Sequence, residues 1–371
     1  MRLSVAMSIV LVLTTAAFYG QTCLPVLHGQ TEASVLMTRA QMPLLKNQAD
    51  VPVLQYTANL PLRPISTYSI VARDSVTGEM GVAVQSHWFS VGSVVPWAEA
   101  GVGAVATQSF TEPAYGPLGL ELMRFGRTAP EALKALVSTD SDEAVRQVAM
   151  IDARGHVAAH TGSRAIYAAG HHLGNQYSVQ ANLMEKPTVW QAMARAYETA
   201  EGDLAERLLA ALEAAQREGG DIRGMQSAAI LVVSGKNTGL PWADRMFDLR
   251  VEDHPNPVTE LRRLVKLQRA YLKLNEGDEW VTKKDMKKAM EAYLEATSIV
   301  PDSATNGEAV FWVGATLANS GRAEDAIPYL ARAYAQDHRW GELVRRLPKA
   351  RLLPDDEKLI ADLVQKMKKG H

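Results

Sequence analysis

The chain has 371 residues, 47% of them hydrophobic and 22% charged, which is enough for two ordinary globular domains. A formal net charge of −2 gives no electrostatic basis for binding nucleic acid or an anionic membrane surface. The single cysteine, Cys23, excludes internal disulfides, so the fold must be held by its core.

Residues 1–20 read as an export signal. Arg2 supplies the positive start, Leu3 to Leu13 is an apolar core too short to span a bilayer, and Ala16, Ala17 and Gly20 offer small residues for cleavage. The mature protein is therefore expected in the periplasm or outside the cell, with no integral membrane domain. Cys23 follows Gln21 and Thr22, poor substitutes for the small apolar residues of a lipoprotein site, so lipid attachment is the lesser alternative. Residues 21–65 carry scattered Gln, Pro and single apolar residues without a period, as in a linker or pro-segment.

The stretch Thr67–Ser86 reads as a β-hairpin. Tyr68, Ile70 and Ala72 alternate with Ser69, Val71 and Arg73, Asp74 to Gly78 breaks the run, and Val82 to Val84 resume it. Thr67 heads the first strand. In its plain reading it is a β-former. With its own amine freed it would carry nucleophile and base in one residue, the amine taking the hydroxyl proton. That reading requires a cut between Ser66 and Thr67, and it expects the Thr67 hydroxyl at the surface.

Further along, Val91–Val95 is strand-like, and Glu99–Gln108 is a turn leading into an alternating strand. Helical spacing follows over Gly116–Gly126 and again from Thr128, which caps a helix with Pro130 in its first turn. Val145–Ile151 and His156–His160 flank a Gly-containing turn, Gly162–Tyr177 reads as a loop, and Ser178–Leu183 precedes two amphipathic helices, Thr188–Ala200 and Leu204–Gln216. The loop Arg217–Gly224 then enters Gln226–Val233, an apolar run suited to a strand covered on both faces. Strands, two helices, strands, two helices and a strand predict an α+β fold, and a four-layer αββα sandwich fits the count.

Thr67-Tyr-Ser-Ile-Val-Ala-Arg-Asp, Gly101-Val-Gly-Ala-Val-Ala-Thr-Gln, Tyr177-Ser-Val-Gln-Ala-Asn, Gly220-Asp-Ile-Arg-Gly-Met-Gln-Ser-Ala-Ala and Asp253-His-Pro-Asn-Pro-Val together resemble the DUF1028 family, over about residues 66–264. That family of unknown function is assigned to the N-terminal-nucleophile (Ntn) hydrolases. The resemblance implies an αββα sandwich with a nucleophile at the head of the first strand. Family members often begin with Met directly before this Thr, whereas this chain carries an export signal and about forty further residues ahead of it.

Several polar residues are candidates to act with Thr67. Asp221 and Arg223 lie in a Gly-rich loop before a buried strand; they either position a substrate carboxylate or the Thr67 amine, or pair with each other and pin the loop. Gln108, Gln180 and Asn182 end or follow strands, where their amides either donate to an oxyanion or satisfy buried backbone. Thr67, Asn182 and Asp221 are thus the catalytic candidates, with His87, Gln108, Gln180, Arg223, Gln226 and Ser227 for substrate binding. His160, His171 and His172 lack metal-ligand spacing, so no metal or other cofactor is expected. Asp253-His254-Pro255 reads as a cap and turn rather than a catalytic pair.

From about Glu260 the chain is helical: Leu261–Asn275, Lys284–Val300, Asn306–Ser320, Ala323–Gln336 and about Asp355–Lys368. Small residues recurring at helix crossings resemble tetratricopeptide repeats, two units and a cap, which implies a surface for a protein partner or a second copy of the chain. Domains are accordingly expected at 66–258 and 259–371. Two functions emerge: an exported amidohydrolase acting on a small amide or peptide, or a non-catalytic envelope scaffold whose helices recruit a partner.

Overall fold

The computed structural model describes residues 64–370; the expected signal, Cys23 and nearly all of the 21–65 segment lie outside them. Ten strands and ten α-helices form among the described residues. The strands are β1 (Thr67–Arg73), β2 (Met80–Ser86), β3 (Pro96–Glu99), β4 (Gly103–Ser109), β5 (Arg146–Asp152), β6 (Val157–Thr161), β7 (Gly170–Gly174), β8 (Tyr177–Ala181), β9 (Ser227–Val233) and β10 (Arg245–Val251). They build two antiparallel sheets, one ordered β10-β9-β2-β1-β8-β7 and the other β3-β4-β5-β6. The mixed α+β class expected from the element order is what forms.

Period-two alternation sorts the side chains of β1 between two cores. Tyr68, Ile70 and Ala72 enter an apolar cluster with residues of α3 (Val189–Thr199) and α4 (Leu204–Arg217), while Val71 joins Val82, Val84, Ala104, Ala106, Ala149 and Ile151 in a cluster shared by both sheets. Valines and alanines make up most of this layer between the sheets. A third cluster joins Val105, Val148 and Met150 of the smaller sheet to α1 (Tyr115–Arg124) and α2 (Ala129–Val137). The signal at Thr128 acts as expected: its hydroxyl accepts from the Glu131 amide, and Glu131 returns a bond to the Thr128 amide, a capping box.

Four elements depart from the sequence reading. Val91–Ser93 is a single 3₁₀ turn rather than part of a strand. The expected loop 162–177 contains β7, Gly-His-His-Leu-Gly, which has almost no β-former and is strand only because it pairs with β8. β10 was masked by Arg245, Asp248 and Arg250, which alternate with the buried Phe247 and Val251 along a sheet edge. The first C-terminal helix, α5 (Pro257–Thr282), continues past Asn275 through Gly277. A Cβ at Gly277 would come within 2.2 Å of the Tyr293 ring, so this glycine admits a close helix crossing instead of ending the helix.

After α5 come α6 (Met286–Ile299), α7 (Glu308–Asn319), α8 (Ala323–Gln336), α9 (Trp340–Arg346), which the sequence reading omitted, and α10 (Glu357–Lys369). Val258, Leu261 and Val265 of α5 belong to the core of the larger sheet, and Leu274 belongs to that of the helical region. One unbroken helix thus serves both cores. No helix among the described residues is long and apolar enough to cross a membrane.

Candidate functional site

The inter-sheet layer turns polar at the end of β1 where Thr67 lies. Thr67, Ser69, Gln108, Gln147, Gln180 and Asn182 are all fully buried there. Such amides are tolerated only if their bonds close on one another. Ser69 Oγ donates to Gln108 Oε1 at 2.6 Å, and Gln180 Nε2 donates to Ser69 Oγ at 2.6 Å. Gln147 Oε1 accepts from Gln108 Nε2 at 2.7 Å and Asn182 Nδ2 at 2.9 Å, while its Nε2 donates to Thr161 Oγ1 and to the Gly170 and Ala181 carbonyls. Thr161 continues to His171 Nδ1 at 2.8 Å; burial, reinforced by His160 and His172, lowers the pKa of that ring.

Thr67 itself is not at the surface. It is wholly enclosed, and its hydroxyl donates to the Ile65 carbonyl at 2.7 Å. The expectation of an exposed hydroxyl fails because residues 64–66 continue inward: Ile65 bridges to Ser109, with Ile65 N–H donating to Ser109 O at 2.7 Å and Ser109 N–H to Ile65 O at 3.0 Å. Ser66 is fully buried and Ile65 is 6% exposed.

Two donors meet on the Ser66 carbonyl, the carbonyl of the Ser66–Thr67 peptide bond. One is Ser86 Oγ, brought opposite Thr67 by the β1–β2 register; the other is Arg223 Nη2 at 3.0 Å. Arg223 is aimed by Asp221, through Nη2–Oδ2 at 2.7 Å and Nε–Oδ1 at 3.1 Å, so the pairing considered from sequence does form. The Asp221 carboxylate has no solvent exposure and also accepts the Arg223 and His87 backbone amides. Burial raises the pKa of the Tyr68 hydroxyl well above its ordinary value, and the Asp221 charge adds to that. Gly220 (φ 67°) and Gly224 (φ 102°) bracket this loop with left-handed backbone that other residues adopt at a cost.

Gln108 Nε2 and Asn182 Nδ2 lie 3.3 and 3.5 Å from the Thr67 carbonyl, which also accepts the Asn182 backbone amide at 3.1 Å. They therefore hold the peptide downstream of the Ser66 carbonyl. Gln180 is engaged by Ser69 and Ser178. Ser227 Oγ accepts the Val91 amide at 3.0 Å and donates to the Trp88 carbonyl, bracing the 88–91 turn. Gln226 joins the ladder through its backbone, donating to Ser86 O and accepting from His254 N. His87 Nδ1 and Asn182 Oδ1 are buried without a hydrogen-bond partner, as is Ser66 Oγ. Sequence reasoning missed Ser86 and Gln147. A hairpin register drawn from Thr67 around the 74–78 turn would have placed Ser86 opposite it. Among the described residues no group of three or more His, Cys, Asp or Glu is placed to hold a metal ion.

These features define an α+β protein of two facing antiparallel sheets, with one buried polar strand end between them and a helical region behind. The model of DUF1028, a family of unknown function, matches residues 67–261, and the chain belongs to that family. Among solved structures, protein SPO2555 from Silicibacter pomeroyi, a DUF1028 protein, is 31% identical; the similarity covers 54% of this chain and 85% of that one, with a TM-score of 0.49. Comparison with the curated proteins finds no match.

Proposed function

We propose that this chain is the precursor of an exported amidohydrolase of the Ntn type, built on a four-layer αββα sandwich, with Thr67 as nucleophile once residues up to Ser66 are removed. The observation that carries the reading is the Ser66 carbonyl, held by Ser86 and Arg223 beside the Thr67 hydroxyl. Donors fixed on a carbonyl oxygen stabilise the oxyanion that forms when the carbonyl is attacked. In this reading Ser86 and Arg223 take the oxyanion role, and Gln108, Asn182 and the network behind them fix the Thr67 backbone.

Burial supports an intramolecular cut. Ser66 and Thr67 are inaccessible, so an external protease would have to unfold the strand end first. Attack by Thr67 Oγ on the Ser66 carbonyl carbon forms a C–O bond as the C–N bond breaks, and the hydroxyl proton ends on the freed nitrogen. Water then hydrolyses the ester, leaving a carboxylate on Ser66 and a Thr67 that owns both hydroxyl and amine. In turnover the amine takes the Oγ proton and delivers it to the departing nitrogen of the substrate. The acyl-Thr67 ester is then hydrolysed by water with the amine as base.

The test is turnover of a panel of chromogenic amides by protein recovered from the native compartment. Thr67→Ala should abolish activity and Thr67→Ser retain part of it; undiminished turnover by Thr67→Ala would exclude the mechanism. Thr67→Ala also removes a buried methyl and one hydrogen bond, so a loss of about 1–2 kcal/mol of stability accompanies it. The second reading, a non-catalytic envelope scaffold, is favoured by the engagement of the Thr67 hydroxyl with Ile65 in the intact chain. Its partner surface would be the tetratricopeptide-like helices of residues 259–371, which carry an open pocket of about 270 Å³ where Val281, Met286, Tyr293, Trp312 and Leu352 stand beside Asp278, Thr282, Thr316 and Asn319.

A further inference from the structure

We infer that the substrate cleft is the groove that residues 64–66 fill in the intact chain, and that it takes an extended acyl chain. This rests on the proposed Thr67 chemistry for its orientation. The residue carrying the scissile carbonyl must be small, and the residue before it a branched aliphatic.

The intact chain contains a bound acyl group in all but name. Ser66 holds the carbonyl under Ser86 and Arg223, and Ile65 precedes it. Ile65 is gripped by backbone on both sides of its own residue, through its N–H and C=O to Ser109. Ser109 ends β4 with φ 71°, a left-handed value that a non-glycine residue adopts at a cost of roughly 1–2 kcal/mol. Both of its backbone groups are taken up by Ile65. Removal of residues 64–66 leaves that N–H and C=O unpaired, a single-residue sheet edge that another extended chain can fill. Burying these groups unpaired costs about 1–3 kcal/mol each, so a peptide-like acyl chain is favoured over a simple one.

Side-chain selection follows from the same residues. Ile65 is 6% exposed and belongs to the apolar inter-sheet cluster with Val71, Val84 and Val91. A charge placed there would be desolvated without a partner. Ser66 is fully enclosed, which leaves no room for an aromatic ring at its position. Its hydroxyl makes no hydrogen bond, so alanine fits there as well as serine.

The experiment compares a Thr67→Ala chain that begins at residue 67, from which the segment is absent, with full-length Thr67→Ala protein, in which residues 64–66 still fill the groove. Binding of the free tripeptide acetyl-Pro-Ile-Ser is measured by calorimetry. The inference expects the shortened chain to bind acetyl-Pro-Ile-Ser at least about 100-fold more tightly than acetyl-Pro-Asp-Ser or acetyl-Pro-Ile-Phe, and the full-length chain to bind none of them. The same chain with Thr67→Ser is a second route to the open groove should the alanine variant fold poorly. Absence of binding to folded variants, or equal binding of all three peptides, overturns the cleft assignment. Chromogenic amides of the same acyl groups, offered to protein that begins at Thr67, separate the two claims. Hydrolysis without preference refutes the cleft alone. Selective peptide binding without hydrolysis refutes the catalytic reading and leaves the cleft standing.

Discussion

Replacing Ser86 by alanine isolates the contribution of one donor to cleavage of the Ser66–Thr67 bond. In the ground state the Ser66 carbonyl keeps Arg223 at 3.0 Å, and Ser86 leaves behind no buried partner other than that carbonyl, so the stability cost is about 1 kcal/mol. In the transition state the loss is larger, because the oxygen then carries most of a negative charge inside an enclosed site. Removal of one such donor costs roughly 2.7–4 kcal/mol, a slowing of about 10²–10³-fold. The assay follows intact mass as purified full-length protein is incubated and its leading segment lost. Ser227→Ala is the control. Ser227 sits across from Ser86 in the β2–β9 ladder, but its hydroxyl serves Val91 and Trp88. That substitution orphans the Val91 amide and lowers stability by about 1–3 kcal/mol without touching the Ser66 carbonyl. Cleavage of Ser86→Ala at the wild-type rate, or equal slowing by Ser227→Ala, would refute the oxyanion assignment.

Three further outcomes are expected. Arg223→Ala strands the Asp221 carboxylate, whose side chain is fully buried, and should lower stability by about 3 kcal/mol in urea titration; the double variant Asp221→Asn/Arg223→Met should recover most of that, and an uncorrected loss would count against a charge-pair explanation. Burial alone would raise the Asp140 carboxyl, but hydrogen bonds from Arg146 and the Asp142 amide outweigh it and hold the pKa below the ordinary value. Because the folded-state pKa is depressed, this contribution is complete above the unfolded value of about 4 and disappears as pH falls through the folded one. Asp140→Asn should therefore flatten the acid limb of the urea midpoint plotted against pH. Gly277→Ala drives a methyl into the Tyr293 ring and should cost about 1–3 kcal/mol, read as a lowered melting temperature; an unchanged melt would mean that α5 and α6 do not cross there.

The parts of the fold legible in the sequence are those whose local pattern and tertiary environment agree. β1, β2, β4, β5 and β9 carry β-branched or small residues at period two and lie inside sheets. α2 announces itself by the Thr128 cap, and α2 and α4 both by an apolar stripe. β7 and β10 were not legible because they are edge strands made by their neighbours: one lacks β-formers and the other alternates with charges. The site was half legible. Thr67, Asp221 and Arg223 stand out by position and type, and all three converge on the Ser66–Thr67 peptide. Ser86 and Gln147 act through register and through the facing of two sheets, which no single stretch encodes. The enclosure of Thr67 depends on Ile65 pairing with Ser109, forty-four positions away along the chain, and that contact has no local signature.

The most direct test of the central claim is the first residue and intact mass of the protein recovered from the compartment in which it works. The account predicts a chain that begins at Thr67, with no residue ahead of it. A mature protein that consistently retains Ile65 and Ser66 would contradict it, since the Thr67 nitrogen would then remain a peptide amide with no basic lone pair to take the hydroxyl proton.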